Sequence, residues 1–345
     1  MNDRRHCLVA AFNLAMLGSL AGRFGTVAHA AEALRVAVAV PGPGNLLFLP
    51  ITLAHSINAD RAEGLELDIH YIGGGPQAFR DMLERNTDFA AGGLAALALQ
   101  RLNGKPVVCI VPTTRVPAYT LLVRIGLKGK VRRIADLAGK VVGVKGHVPG
   151  GRSTSQLFTE HVLSLSGVKP DRVNYVSVGQ AYDSQHAALS GGTVDAIMGD
   201  EPFATRLVKA KVAYALADFH DLETTRKLMG GLFLNGHVAT REDFLSSRPD
   251  VVEKMVKAIK RTLVWIDRHS AREIVDALAM PNAEEREAMY EVLKIRKNVF
   301  SPDGSFSDEQ LDSVDRFLHA TETSEASRAF SVRSIVKDHW AGRVP

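Results

Sequence analysis

From Leu34 onward, short apolar runs alternate with longer segments of helical periodicity. The apolar runs have the length and β-branched content of buried strands. In the first part of the chain the predicted strands are LRVAVAV (34–40), ELDIHYI (66–72), TDFAAGG (87–93) and PVVCIVP (106–112), with helices over 46–58, 76–85 and 94–102 between them. This alternation is typical of mostly parallel sheets covered by helices. It predicts an α/β protein.

A second set of the same kind begins near Lys140. Its predicted strands are KVVGVK (140–145), VNYVSV (173–178), DAIMG (195–199) and VAYALADF (212–219). Two extended segments, AYTLLVR (118–124) and LFLNGHVAT (232–240), flank this set, so we expect the chain to cross between two lobes twice. A double crossover forms a hinge with a cleft. We predict that residues 31–117 plus 232–345 form lobe 1, with the C-terminal helices, and that residues 118–231 form lobe 2.

The first 30 residues have the pattern of a secretory signal. Arg4 and Arg5 precede an apolar run over residues 8–22, and Ala28-His29-Ala30 is a small-x-small cleavage site. The run is short and interrupted compared with the roughly 20 apolar residues of a membrane span. We predict cleavage after Ala30, with an uncleaved anchor helix as the alternative. The general secretory and twin-arginine export routes both stay open.

Composition narrows the class of function. Without residues 1–30 the formal charge is +2, which is too balanced for the clustered basic surface of a nucleic-acid-binding protein. Cys109 is then the single cysteine, so an internal disulfide cannot form, and its apolar surroundings predict a buried thiol. The histidines lack metal-binding spacing. We expect no metal and no cofactor.

The stretch GHVPGGRSTSQ (146–156) carries the most specific candidate chemistry. It follows a predicted strand and opens a predicted helix, so backbone N–H groups and the positive end of the helix dipole converge there. Ser153, Thr154 and Ser155 add hydroxyl groups, and Arg152 could clamp two oxygens of an oxyanion. The pattern differs from a nucleotide-binding P-loop because Arg replaces the required Lys. We interpret it as an anion site, with a glycine turn and an ordinary Ser cap as the alternative.

Other loops that follow predicted strands supply further candidates, because ligands of α/β sheets bind beyond the carboxyl ends of the strands. These loops provide glycines that permit close approach and polar side chains that form hydrogen bonds. The complete set of predicted ligand-binding residues is Asn45, Gly74, Gly75, Gln77, Thr114, Arg115, Arg152, Ser153, Thr154, Ser155, Asp200 and Glu201. Asn45 has a second interpretation as a helix cap, and the GGG at 73–75 has one as a flexible turn.

Asp200 and Glu201 are unexpected beside an anion site. A carboxylate there repels an anion unless a cation intervenes, so we expect one of the pair to contact Arg115, Arg152 or a positive group of the ligand. A ligand with both an anionic end and an amine or amide would satisfy both halves of the site. Alternatively, Glu201 caps the helix after Pro202 and faces solvent.

Several segments together resemble a known family. They are LPITLAHSI, RAEGLELDI, YIGGGPQAF, NTDFAAGG, PAYTLLVR and LSGGTVDAIMGDEPFA, within residues 34–270. They are similar to periplasmic substrate-binding proteins of the nitrate, sulfonate, taurine and thiamine-pyrimidine-precursor type, which serve ABC importers. In that family the last segment often has Trp before the acidic residue and Pro; here the position is Asp200, so an aromatic wall is missing or a charge has been added.

The resemblance implies a two-lobed periplasmic binding protein type II fold, with a mostly parallel sheet in each lobe and a double hinge crossover. It implies a periplasmic monomer that captures a small organic anion, a sulfonate or carboxylate, and delivers it to ABC permease subunits; nitrate or a pyrimidine-type precursor are further options. Two alternatives stay open. One is an enzyme on the same fold, with lyase-type or pyrimidine-synthesis chemistry, and the other is a secreted ligand-sensing subunit of a receptor.

Overall fold

The computed structural model describes residues 33–146 and 151–345. The predicted signal segment, with its cleavage site, and residues 147–150 of the glycine-rich loop lie outside the described residues. Residues 33–345 form one compact unit.

Twelve strands are present in the described chain. They are β1 (Leu34–Val40), β2 (Leu65–Tyr71), β3 (Phe89–Gly93), β4 (Val107–Pro112), β5 (Thr120–Arg124), β6 (Val141–Val144), β7 (Asn174–Ser177), β8 (Ala196–Gly199), β9 (Ala213–Asp218), β10 (Gly236–Arg241), β11 (Phe306–Ser307) and β12 (Arg343–Val344). The strands predicted from apolar runs are confirmed, most of them to within two residues at each end.

Fourteen α-helices accompany these strands in the described residues. They are α1 (Leu49–Ser56), α2 (Ala59–Ala62), α3 (Gly75–Leu83), α4 (Leu94–Leu102), α5 (Thr154–Leu165), α6 (Tyr182–Ser190), α7 (Phe203–Lys209), α8 (Leu222–Met229), α9 (Glu242–Ser247), α10 (Pro249–Arg268), α11 (Ala271–Leu278), α12 (Ala283–Arg296), α13 (Asp308–Thr321) and α14 (Glu325–Ala329). None of the helices in the described residues is long and apolar enough to span a bilayer.

The two large sheets have the same topology. The first has the order β2-β1-β3-β10-β4 and the second the order β7-β6-β8-β5-β9. In each sheet one strand, β10 or β5, runs antiparallel to both of its neighbours, and the pairs β1–β2, β1–β3, β6–β7 and β6–β8 are parallel. The predicted α/β fold with a mostly parallel sheet in each of two lobes is confirmed.

The chain crosses between the sheets twice. Residues 113–119 lead from β4 in the first sheet to β5 in the second, and residues 219–235 lead from β9 back to β10. The strands therefore follow the predicted double crossover. The residues at which one lobe ends and the other begins stay a prediction. Below, the first lobe means the first sheet with its helices, and the second lobe means the second sheet with its helices.

An aromatic cluster fills the region of the two crossings. Phe158 of α5 packs against Tyr119 of the first crossing, with ring centroids 5.5 Å apart, and against Phe219 of the second, at 5.0 Å. Phe233 and Phe317 complete the cluster. All five rings are buried, so the hinge contributes to a hydrophobic core that continues into the first lobe. A smaller apolar cluster lies within the second lobe.

Short polar residues cap the helices that begin near the crossings. Ser153 is the N-cap of α5, and its Oγ accepts a hydrogen bond from the N–H of Gln156 at 3.2 Å. Ser307 caps α13 in the same way, because its Oγ accepts a hydrogen bond from the N–H of Gln310 at 3.2 Å. The long helix α10 buries the apolar face that the spacing of Val252, Val256, Ile259, Leu263 and Ile266 predicts.

Candidate functional site

A small cavity lies where the carboxyl ends of both sheets face each other. Its volume is about 40 Å³, which is room for roughly three water molecules. The first lobe provides mainly apolar groups and glycines, and the second provides polar side chains. The lining residues are Pro41, Leu47, Phe48, Gly75, Pro76, Gly92, Gly93, Ala96, Tyr119, Lys145, Ser153, Thr154, Ser155, Gln180 and Asp200.

A buried ion pair forms the polar centre of this cavity. Lys145 follows β6 and Asp200 follows β8, two parallel neighbours, so their side chains emerge at the same edge of the second sheet. Nζ of Lys145 lies 2.6 Å from Oδ2 of Asp200, and both side chains are only 4% exposed. A fully desolvated pair of this kind is stable only when its geometry and remaining hydrogen bonds compensate for lost hydration.

Asn45 joins the ion pair from the first lobe. Its Nδ2 donates to Oδ2 of Asp200 at 2.7 Å, while its Oδ1 accepts from the backbone N–H of Leu47 at 2.9 Å. Asn45 therefore caps the first helical turn, as its second interpretation predicts, and contacts Asp200 across the lobes. Its contact with a ligand stays a prediction. A backbone bond from Leu46 N–H to the carbonyl of Glu201, at 2.9 Å, runs beside it. These contacts hold the two lobes together over the cavity.

Burial shapes the electrostatics of the pair. Burial lowers the pKa of Lys145, and the negative charge of Asp200 opposes that effect only in part. The ammonium also lies 5.3 Å from the ring centroid of Tyr119, within range of a cation–π contact. Burial, followed by the charge of Asp200, raises the pKa of Tyr119 well above its usual range. Tyr119 therefore offers the cavity a neutral phenol.

Three helix N-termini converge on the cavity. Gly75 and Pro76 begin α3, Gly93 precedes α4, and Ser153 to Ser155 begin α5; residues of all three starts line the wall. Each helix start carries unpaired N–H groups and a partial positive charge. Together with Lys145 they make a region that favours negatively charged oxygen.

The hydroxyl groups at the start of α5 form a local network. Ser153 Oγ and Ser155 Oγ are 3.0 Å apart, and Ser155 Oγ lies 3.4 Å from the carbonyl of Lys145. Ser153, Thr154 and Ser155 are all at least 94% buried. This network fixes the side chains that follow the glycine-rich loop and places them on the cavity wall beside Lys145.

Gly74 and Gln77, both predicted ligand contacts, lie beside the wall rather than in it. A Cβ atom on Gly74 would come 2.3 Å from Oε1 of Gln77 and 2.9 Å from the backbone of Gly146. Gly74 therefore permits a close approach between the lobes. Oε1 of Gln77 is buried and has no hydrogen-bond partner among the residues the structure describes. Gly75 lines the cavity itself.

Arg152 is not among the residues that line the cavity. Its guanidinium contacts Glu160 of α5 at 2.7 Å, and it also pairs with Glu322, which follows α13. Two nitrogens of the guanidinium that was expected to clamp an oxyanion are therefore paired with carboxylates. The sequence pattern could not reveal this because Glu322 is 170 residues away along the chain.

Thr114 and Arg115 lie in the first crossing and do not line the cavity. Oγ1 of Thr114 accepts from the N–H of Gly236 at 2.8 Å, which ties the crossing to β10. Nε of Arg115 donates to the carbonyl of Asn298 at 2.9 Å. Both residues stabilise the crossing in this structure.

Glu201 is buried and is not among the residues that line the cavity. Its Oε2 accepts from the N–H of Thr205 at 3.0 Å, so it does cap the start of α7, but it is 1% exposed and does not face solvent. Arg296 lies 3.6 Å from its Oε1. Arg115 and Arg152 are not the partners of the acidic pair in this structure: the cations are Lys145 for Asp200 and Arg296 for Glu201. The third expectation, a positive group of the ligand, stays a prediction.

Lys145 is the charged residue of the cavity wall that the sequence interpretation missed. It ends the apolar run KVVGVK, where it reads as the last residue of a strand. A charged residue at the carboxyl end of a predicted buried strand, directly before a glycine-rich loop, is the signal that could have identified it. Among the described residues no cluster of His, Cys, Asp and Glu could hold a metal ion.

A protein-family model matches more than half of the chain. The match covers residues 61–271 and has the description "NMT1/THI5 like". The chain belongs to the NMT1/THI5-like family. A curated relative is YtlA of Bacillus subtilis (strain 168), whose name calls it a binding protein; it is 23% identical over 243 residues, which are 68% of this chain and 67% of YtlA.

Solved structures share the fold of this NMT1/THI5-like protein. A protein from Bordetella bronchiseptica RB50 has a TM-score of 0.81 at 22% identity, over 90% of this chain and 96% of that one. The alkanesulfonate-binding protein SsuA from Xanthomonas axonopodis pv. citri, bound to MOPS, has a TM-score of 0.68 at 16% identity, over 91% and 100%. The desulfurization enzyme DSZB has one of 0.62 at 16% identity, over 89% and 97%. The fold is that of the periplasmic binding proteins.

Proposed function

We propose that this protein is the solute-binding component of an ABC importer and that it captures a small organic anion in the cavity between its lobes. The observation that carries the proposal is the ammonium group of Lys145. It is buried on the cavity wall beside the start of α5 and forms no hydrogen bond to any described group other than its ion pair with Asp200. An ammonium has three donors, so an anionic oxygen can occupy a free one.

The wall suits an oxyanion with a short carbon skeleton. Lys145 and the N–H groups of α5 would hold the oxygens, and the hydroxyl group of Ser153 can donate as well. Opposite them, Leu47 and Phe48 offer apolar surface. We favour a sulfonate or carboxylate over nitrate or a pyrimidine-type precursor, since neither of those presents both a charged head and an apolar body.

Closure of the lobes would trap the ligand. The bonds from Asn45 to Asp200, from Leu46 to Glu201 and from Ala96 to Thr154 all join the first lobe to the second. A ligand favours closure only through contacts that exist in the closed state, and Lys145 and α5 on one side with the first lobe on the other supply them. The closed form would then be recognised by a permease.

The proposal also includes the export of the protein and the partner on which it docks. The N-terminal pattern of basic pair, apolar run and small-x-small site supports secretion to the periplasm, where such a component functions. We propose a monomer that docks on permease subunits in the inner membrane. Docking to a receptor in place of a permease is the competing partner.

Native mass spectrometry tests the proposal first. Protein purified from the periplasm without denaturation should carry a ligand of low mass that is released on unfolding and that binds again with 1:1 stoichiometry. Recovery of the same compound chemically unchanged after prolonged incubation supports capture. Conversion to a product would favour the alternative that the protein is an enzyme. The desulfurization enzyme DSZB, which shares the fold, is the reason to test for it. Absence of any retained or rebinding anion would contradict the proposal.

A further inference from the structure

Only one of the two carboxylate oxygens of Asp200 has a partner among the described residues. Its Oδ2 accepts from Asn45 and faces Lys145, at 2.7 and 2.6 Å. Its Oδ1 has no hydrogen-bond partner among the described residues and is closed off from solvent, within a side chain 4% exposed. A buried carboxylate oxygen without a donor is costly, so such an atom in a cavity wall indicates a group that a ligand supplies.

The charges of the cavity wall cancel. Lys145 contributes +1 and Asp200 contributes −1, and no other charged residue lines the cavity among the described residues. A simple anion would therefore leave a buried site with a net charge of −1 beside Asp200. That arrangement is unfavourable where water is excluded, even with the partial charges of helix N-termini nearby.

We propose that the ligand carries an oxyanion and a protonated amine or amidine a few atoms apart, with no net charge; this inference rests on the proposed function. The oxyanion binds Lys145 and the start of α5. The N–H donors of the cationic group bind Oδ1 of Asp200, the atom that has no partner. Asp200 is thus the residue that selects ligands with a donor over simple anions.

The dimensions of the cavity agree with a compact ligand of this type. Its volume of about 40 Å³ leaves room for only a few heavy atoms in the closed form. Leu47, Phe48 and Pro76 on the opposite wall can contact a short carbon linker between the two charged groups. A longer linker would place the amine beyond the reach of Asp200, because both residues of the pair project from the same edge of one sheet.

Matched pairs of small acids test the inference by calorimetry at neutral pH. The probes are propionate, butyrate and β-alanine, together with the corresponding sulfonates. We expect each amino acid to bind at least about tenfold more tightly than its amine-free partner, the scale of one charge-assisted hydrogen bond. Butyrate matches β-alanine in size but has a methyl group in place of the ammonium group, so we expect it to lack that gain.

The variant Asp200→Asn separates selection from folding. It removes the charge and keeps the shape, so the amine-free acids should gain affinity and the amino acids should lose it, which inverts the preference. Circular dichroism and thermal unfolding confirm that the variant folds. If propionate and β-alanine bind the native protein equally, or the variant keeps the native preference, the inference is wrong and the proposed function stands. If no probe of either type binds, the proposed capture of small anions is contradicted as well.

Discussion

The hydroxyl of Thr154 accepts a hydrogen bond from the backbone N–H of Ala96 at 3.1 Å. Thr154 begins α5 of the second lobe and Ala96 lies in the first turn of α4 of the first lobe. A side chain of one lobe therefore caps a helix of the other. This contact lies on the cavity wall and can exist only when the lobes are closed.

Gly93 makes that approach possible. A Cβ atom at this position would lie 2.1 Å from Oγ1 of Thr154 and 2.7 Å from Oδ1 of Asn235. We predict that Gly93→Ala holds the lobes apart and weakens ligand affinity at least about tenfold, because the binding-competent form becomes less populated. Small-angle scattering and calorimetry would measure the two effects. Gly126→Ala, which would meet only the flexible end of Arg124, is the matched control and should behave like the native protein.

A second prediction concerns Lys145. Lys145→Met leaves the buried carboxylate of Asp200 without a cation, so we expect the free energy of unfolding to fall by about 3 to 5 kcal/mol. The double variant Lys145→Met/Asp200→Asn should recover most of that loss, yet neither variant should bind the retained ligand measurably. Denaturant unfolding and calorimetry check both parts.

Arg152→Met is the control for the Lys145 variants. Since its guanidinium is held by Glu160 and Glu322, we expect ligand affinity within about threefold of native, well under the contribution of a direct charged hydrogen bond. A larger loss would restore Arg152 to the ligand site and count against Lys145 as the main anion contact.

A third prediction concerns the ion pairs that join α7 to α12. Arg206 of α7 lies 3.3 Å from Glu285 and 3.8 Å from Glu284, both of α12, and Lys209 of α7 pairs with Glu291 of α12. Helix α12 packs on α11, which packs on α1 of the first lobe, so these pairs span the lobes. We predict that ligand affinity declines with ionic strength, because closure brings the charges together.

The variant Glu285→Gln tests directly whether the ion pairs between α7 and α12 contribute to ligand affinity. It should lower ligand affinity by a few-fold, as expected for a partly exposed ion pair, and make the affinity less sensitive to salt. Glu253→Gln removes a pair with Lys257 within α10 and serves as the control. Identical salt dependence in the native protein and in Glu285→Gln would show that the ion pairs between α7 and α12 do not contribute to closure.

A fourth prediction concerns acid sensitivity. Burial lowers the pKa of His237 to about 4, below its ordinary value of 6.5. The unfolded chain then binds more protons than the folded protein between these two values, so stability must fall as the pH is lowered through that window. This residue alone should cost about 2 kcal/mol between pH 7 and pH 5.

His237→Phe removes this contribution and keeps an aromatic ring next to Phe79. Urea unfolding of both proteins at pH 7 and pH 5 gives the comparison, since the other titrating groups are common to both. We expect the variant to lose about 2 kcal/mol less than the native protein over this interval. Equal losses would place the protonation of His237 outside this window.

The sequence predicts the fold well because the fold depends on local patterns. The run PVVCIVP is apolar throughout, and β4 is buried along its whole length. Leu94–Leu102 is a helix with the bounds predicted from the sequence. The two extended segments that flank the second set of strands contain β5 and β10, the antiparallel strands of the two sheets.

The site is less predictable because its partners are distant in sequence. The start of α5 and Asp200 do line the cavity, since each follows a strand directly. The choice of cation depends on tertiary contacts. Lys145 pairs with Asp200 because β6 and β8 are neighbours, whereas Arg152 pairs with Glu322 of the C-terminal segment. Neither pairing leaves a periodic signal in the sequence.

A crystal structure of the protein with the ligand that it retains through purification tests the central claim most directly. The account predicts an anionic oxygen of the ligand within about 3.2 Å of Nζ of Lys145, between the two lobes and beside the first turn of α5. A ligand whose anionic group contacts Arg152 or Arg115, with Lys145 still paired to Asp200 alone, would contradict it.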